Sequence, residues 1–105
     1  MAKMTRENIL EKLKKVKSRY EGEGIRICGL FGSYARNQAD ETSDIDILIE
    51  ATPRFAQRYG FEAIARLREI EEELSRLLGR PVDLADRSGM GKTAHKFIVK
   101  RTVGL

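Results

Sequence analysis

Cysteine occurs once in this 105-residue chain, at Cys28, histidine once, at His95, and proline twice. A single cysteine excludes an internal disulfide and most zinc sites. Its place in an apolar run assigns Cys28 to the core, where a free thiol behaves as a small hydrophobe. His95 is too isolated to serve as a ligand set or a catalytic base. Aromatic residues make up only 7% of the chain, and the signatures of the common nucleic-acid modules are missing, so direct nucleic-acid binding is not expected. No apolar run approaches the roughly 20 residues that span a bilayer. The N-terminus has no apolar signal segment either, so no membrane partner and a cytoplasmic location are the expectation. Repeats and low-complexity tracts are absent as well. What remains is 41% apolar and 34% charged, with a net charge of +4. That is enough for one compact domain over 1–105 and too short for two. The charge suits a polyphosphate or an acidic partner.

Residues 5–20 read as an amphipathic helix capped by Thr5, with Ile9, Leu13, Val16 and Tyr20 on one stripe. Lys12, Lys14, Lys15, Lys17 and Arg19 make its other face and last turns basic, read either as a solvated face with cations at the helix C-terminus or as a contact for a phosphate-bearing or acidic partner. Gly22-Glu23-Gly24 breaks the helix. Residues 25–31 are apolar at nearly every position and predict a buried strand. Gly32-Ser33 ends that strand, one or two helical turns follow over 34–38, and 37–43 is a polar connection. A second strand is expected over 44–50, a loop over 51–60 and a long helix over 61–78. Ile64, Leu67, Glu71, Leu74 and Leu78 lie along or near one stripe, joined by Ile70 and Leu77. Glu62–Arg66 and Glu72–Arg76 are i, i+4 pairs in the favourable order. Gly79 and Pro81 stop the helix. A short third strand over 82–86, a turn at Ser88-Gly89 and a last helix over 93–101 complete an α-β-α-β-α-β-α order. The expected fold is α/β (α+β): a two-layer sandwich of about three strands in a small mixed sheet with four helices.

Gly32-Ser33 stands ten residues ahead of Asp44-Ile45-Asp46, with strand-like runs at both ends. Strand side chains alternate faces, so Asp44 and Asp46 project from one face with Cα atoms roughly 7 Å apart. Two carboxylates so close are costly neighbours unless a cation joins them, and oxygen ligands suit Mg²⁺ or Mn²⁺. Asp83, in the next strand, is expected beside them. Three carboxylates on adjacent strands suit a pair of divalent ions about 3.5–4 Å apart. A Gly-Ser turn that opens a helix offers backbone N–H groups to a phosphate. Asp86 fits a solvated acid at the strand's end.

With these residues in place, the chain resembles the minimal nucleotidyltransferase (MNT) domains of the DNA polymerase β nucleotidyltransferase superfamily, over nearly its whole length. The resemblance implies that Gly32 and Ser33 hold the β- and γ-phosphates of ATP. Arg36 would supply charge at the phosphates, and Ser43 a hydrogen bond beside the first acid. It assigns metal binding and catalysis to Asp44, Asp46 and Asp83, with two Mg²⁺ ions (Mn²⁺ as substitute), and gives Asp83 the nucleophile's proton. In this family stand-alone MNT proteins pair with a HEPN-domain RNase toxin and silence it by adding AMP to a tyrosine. The partners implied are therefore that toxin and ATP, in a homodimer or in a hetero-oligomer with the toxin. Two other readings stay open: an antitoxin that occludes its partner without catalysis, and nucleotidyl transfer to a small molecule or an RNA end.

Three further features are weighed. Gly89-Met90-Gly91-Lys92-Thr93 ends like a Walker A loop but has Asp86 where the pattern needs glycine. Lys92, Lys96 and Lys100 form a basic face on the last helix. Phe55 and Tyr59 are placed either to stack on a base or to pack under the sheet.

Overall fold

The computed structural model describes residues 5–36, 39, 43–89 and 102–105. The first helix, α1 (Arg6–Glu21), begins as its sequence predicts. The Thr5 side chain accepts a hydrogen bond from the Asn8 N–H at 3.2 Å, and Ile9, Leu13 and Tyr20 are buried on one stripe. β1 (Ile25–Phe31) runs into the short helix α2 (Gly32–Ala35), and β2 (Ile45–Ala51) follows the polar connection.

The expected loop over 51–60 is instead a helix, α3 (Pro53–Tyr59). Pro53 sits in its first turn, where a missing N–H costs nothing. Phe55 is buried in the core, which decides between its two readings in favour of packing. A single 3-10 turn, Gly60–Glu62, separates α3 from α4 (Ala63–Leu78), so the long helix starts later than expected. The offset leaves Ile64, predicted to face inward, 68% exposed, and Leu77 is also exposed. The inner stripe is Ile70, Leu74 and Leu78, with Leu67 packed beside it. Arg66 does not rely on Glu62: it bonds Glu23, Glu69 and Glu73. Glu72–Arg76 forms as expected, at 2.9 Å. Gly79 closes α4 in the left-handed conformation, at φ 73°.

β3 (Val82–Asp86) leads into a 3-10 turn over Arg87–Gly89, and β4 (Val103–Gly104) adds a strand beyond the three expected. The predicted helix over 93–101, with Lys92, His95, Lys96 and Lys100, lies outside the described residues, as does most of 37–42. The sheet order is β3-β2-β1-β4. β1 is antiparallel to β2 and to β4, and β2 is parallel to β3. A parallel pair needs a crossover, which α3 and α4 supply between β2 and β3.

One face of the sheet carries Ile25, Ile27, Leu30, Ile45, Ile47 and Ile49 into a core closed by α1 and α4. The alternate positions Asp46, Leu48 and Glu50 turn to the opposite face. β1 bulges between Ile27 and Gly29, and the extra residue is Cys28. The bulge explains why Cys28 is half-buried rather than a core residue. Among the described residues, no helix is long and apolar enough to cross a membrane.

Behind the core, a polar cluster ties α1, the 22–24 turn, α3 and α4 together. Arg66 reaches both oxygens of Glu23, each at 2.7 Å, and Glu73 at 2.9 Å. Tyr20 donates to Glu73 at 2.7 Å, and Tyr59 donates to Glu23. The Arg66 bonds hold the Glu23 carboxyl down at about 2. Burial, with Glu73 beside it, pushes the Tyr20 hydroxyl up to about 12.

Candidate active site

Two aspartates far apart in sequence meet first. Parallel pairing puts Asp46 of β2 directly beside Asp83 of β3, one step into each strand. A backbone bond from the Ile45 N–H to the Pro81 carbonyl, at 2.9 Å, starts that register. At the other end of the pair, the Asp86 carboxylate accepts from the Ala51 N–H at 3.1 Å and from the Ser88 N–H and hydroxyl. Asp86 is therefore a clamp between strand ends, not merely a solvated acid. The Asp86-Arg87-Ser88 spacing, an acid two residues ahead of a serine, is the sequence signal for such a turn.

Asp44 is exposed and sits one residue before β2, and Asp83 is exposed on β3, while Asp46 between them is half-buried. Asp46 pays for its place: burial, then the charge of Asp83, then that of Asp44 push its carboxyl above the usual range, against the opposing pull of Arg36. The three acids thus interact, with Asp46 at the centre, and Arg36 stands within electrostatic reach. Among the described residues, they are not drawn into a ready-made metal cluster. The donor set still fits a hard divalent cation, because three mutually repelling carboxylates are relieved by one.

The other wall of the site is the turn at Gly32. Phe31 of β1 faces Asp46 across the antiparallel pair, so the chain enters α2 against that carboxylate. Gly32 has φ 74°, and a Cβ built there would lie 2.2 Å from Asp46 Oδ2. Only glycine permits this approach and this backbone conformation together. Phe31, at the N-cap, has no polar side chain to cover the first N–H groups of α2. Ser33 follows in its first turn, and Ser43 directly precedes Asp44. Arg6, which no sequence signal singled out, donates from Nη1 to the Ala35 carbonyl at 2.8 Å and pins the end of α2 to α1. The structure therefore gathers Gly32, Asp44, Asp46 and Asp83, with Arg36 at the edge, at one end of the sheet. Phe55 and Tyr59 lie beyond the other end of β2, away from this group.

A glycine turn pressed against one of several strand carboxylates is the centre of a fold that other proteins share. The nucleotidyltransferase domain family model matches residues 9–104. The chain is 39% identical over 83 residues to the protein adenylyltransferase MntA of Thermococcus cleftensis, covering 76% of this chain and 74% of that protein. It is 41% identical over 96 residues to a Methanocaldococcus jannaschii protein named as a candidate protein adenylyltransferase, covering 90% and 84%. A solved structure described as a minimal nucleotidyltransferase superposes over 100% of both chains, with a TM-score of 0.75 and 26% identity. The chain belongs to the nucleotidyltransferase domain family, and it is an enzyme of that class.

Gly32→Ala tests the wall of the site. The substitution is expected to cost about 1–2 kcal/mol for its left-handed backbone and to force the Asp46 carboxylate aside. Chemical denaturation should show the first effect, and loss of nucleotidyl transfer the second. A variant as active as wild type would show that the Asp46 rotamer seen here is not the working one.

Proposed function

We propose that this chain transfers AMP from ATP to a tyrosine of a HEPN-type RNase toxin and, as that toxin's antitoxin, silences it in the cytoplasm. The observation that carries the reading is the Asp46–Asp83 pairing with Gly32 packed onto Asp46. Relatives named as protein adenylyltransferases support the choice of a protein acceptor.

In this reading Gly32 and Ser33 receive the β- and γ-phosphates, and Arg36 adds charge at their edge. Asp44, Asp46 and Asp83 hold two Mg²⁺ ions, with Mn²⁺ an acceptable replacement, and Ser43 steadies Asp44. Bound there, the metal would neutralise phosphate charge. The acceptor oxygen attacks the α-phosphorus in line, its proton passes to Asp83, and the bond to the β-phosphate bridging oxygen breaks to release pyrophosphate. Positioning and charge carry such a transfer, with little covalent work for the protein.

The test is label transfer. Purified protein, Mg²⁺ and ATP labelled at the α-phosphate are added to extract of the source cells, with Asp46→Asn in parallel. A labelled protein band seen only with wild type is expected, and identifying it names the acceptor. Equal rescue of toxin-expressing cells by both proteins, without label, would replace this reading with occlusion. A labelled RNA end or small molecule would move the acceptor to another class.

A further inference from the structure

The row of acids starts from a single peptide group. Between Pro81 and Val82, the carbonyl accepts from the Ile45 N–H at 2.9 Å, and the amide N–H donates to the Ser75 hydroxyl oxygen at 3.0 Å. Ile45 lies between Asp44 and Asp46, and Val82 directly precedes Asp83. One peptide plane is thus held from two sides, by β2 and by α4, at the step where all three acids are set out. Ser75 is itself fixed. Its hydroxyl donates to the Glu71 carbonyl, one helical turn back, at 2.7 Å. That bond uses its one proton and leaves a lone pair for Val82.

Val82 is buried and Leu84 packs against the core, so Asp83 between them faces the other way. A slip of one residue along β2 would turn Asp83 toward the core and Val82 away from it. Only residues 79–81 join α4 to β3, and Pro81 has no N–H to offer the sheet. The Val82 N–H is therefore the first donor of β3. Its acceptor lies not in the sheet but on α4. Removing the Ser75 hydroxyl takes that acceptor from a buried residue and loosens the peptide next to Asp83.

We propose that Ser75 is a positioning residue of the site: through the Val82 N–H it sets Asp83, and with it the hold of the acids on a divalent ion. Its role rests on the reading of Asp83 as a metal ligand.

Two measurements on the full chain test it. Mn²⁺ binding is followed by calorimetry without nucleotide, at a temperature where every variant is folded. Amide hydrogen exchange at Val82 is followed by NMR in EDTA. Ser75→Ala is expected to weaken Mn²⁺ binding about tenfold, the low end of the range for losing a group that orients a metal ligand, and to speed exchange at Val82. Ser75→Thr, which keeps the hydroxyl, should restore both. Alanine is the better helix former, so Ser75→Ala should still fold. Thr5→Ala, which removes the cap of α1, controls for lost stability and should match wild type in both measurements. Unchanged Mn²⁺ affinity or unchanged Val82 exchange in Ser75→Ala, an equal loss in Thr5→Ala, or no rescue by threonine would each overturn the proposal. A wild type that binds no Mn²⁺ would overturn it together with the metal reading, whereas wild-type binding matched by Ser75→Ala would overturn it alone. Neither result depends on finding the acceptor.

Discussion

Asp46→Asn is expected to abolish nucleotidyl transfer, by at least about a hundredfold, the scale of losing one preorganised charged group at a reacting centre, while making the metal-free protein more stable. The two effects have one cause. Asp46 is half-buried with Asp83 and Asp44 as its charged neighbours, and its carboxyl is raised accordingly. Asparagine has the same shape, keeps hydrogen-bonding capacity and removes the charge that the other two acids repel. Thermal unfolding in EDTA should therefore show a higher Tm for the variant than for wild type. Added Mg²⁺ should reverse the order, raising the Tm of wild type through binding to the folded state alone and leaving the variant nearly unmoved. Loss of transfer without this reversal would mean that Asp46 acts on the substrate and not through a metal. A lower Tm in EDTA would show that the charge is already compensated in the resting protein.

The second large effect is on stability. Arg66→Ala is expected to cost about 3–5 kcal/mol, the range for removing one partner of a buried ion pair, because Arg66 and Glu23 are each only 14% exposed. The substitution strands two carboxylates, Glu23 and Glu73, and releases the link between α4 and the turn after α1. The same contact makes stability depend on pH with a defined sign. The Glu23 carboxyl falls from its ordinary 4.5 to about 2 on folding, so between those values the unfolded chain binds more protons than the native one. The contribution is fully present above about pH 5 and is lost as the pH falls toward 2. Its size is on the order of 3 kcal/mol for a shift of this extent. Urea titrations of wild type and Glu23→Gln at pH 7, 4 and 2.5 should show a stability difference that shrinks as the solution is acidified. A difference constant with pH would mean that Glu23 contributes by packing and not by its charge.

The sequence carried much of this fold and most of the candidate site, for identifiable reasons. Period-two alternation set the faces of β2 and with them the side of Asp46, whereas the strand expected from position 44 starts only at Ile45 and leaves Asp44 just ahead of it. Capping at Thr5 and the stop at Gly79 were local chemistry, and both α1 and the end of α4 follow from it. What the sequence concealed depended on distant partners. The 51–60 segment reads as a loop because Pro53, Arg54, Gln57 and Arg58 give it no apolar stripe. It becomes helical on a first-turn proline and one buried ring, Phe55. Glycine at position 60 then offsets α4, which no periodicity count across 61–78 could reveal. Glu23 looked like part of a helix break, and its partner Arg66 lies 43 residues away in sequence. Arg6 has no motif at all, since its partner is a backbone carbonyl. Cys28 was misplaced because a β-bulge is a property of a strand pair and not of one strand. The register of Asp46 on Asp83 was expected from adjacency alone. Its fine alignment rests on the Ile45–Pro81 bond at one end and the Asp86 clamp at the other.

The parallel pairing of β2 and β3 also bears on how the site comes into being. Asp44 and Asp46 leave the ribosome with β2, but Asp83 arrives only after the whole of α3 and α4. Contacts of such long sequence separation form late, because a loop must close before it is rewarded. A nascent chain that ends within α4 has the turn at Gly32 and two of the three acids, yet lacks the strand that completes the row. Assembly of the acid cluster is in this sense a report that the crossover has closed, and a truncated or half-folded chain has no complete row of the three carboxylates.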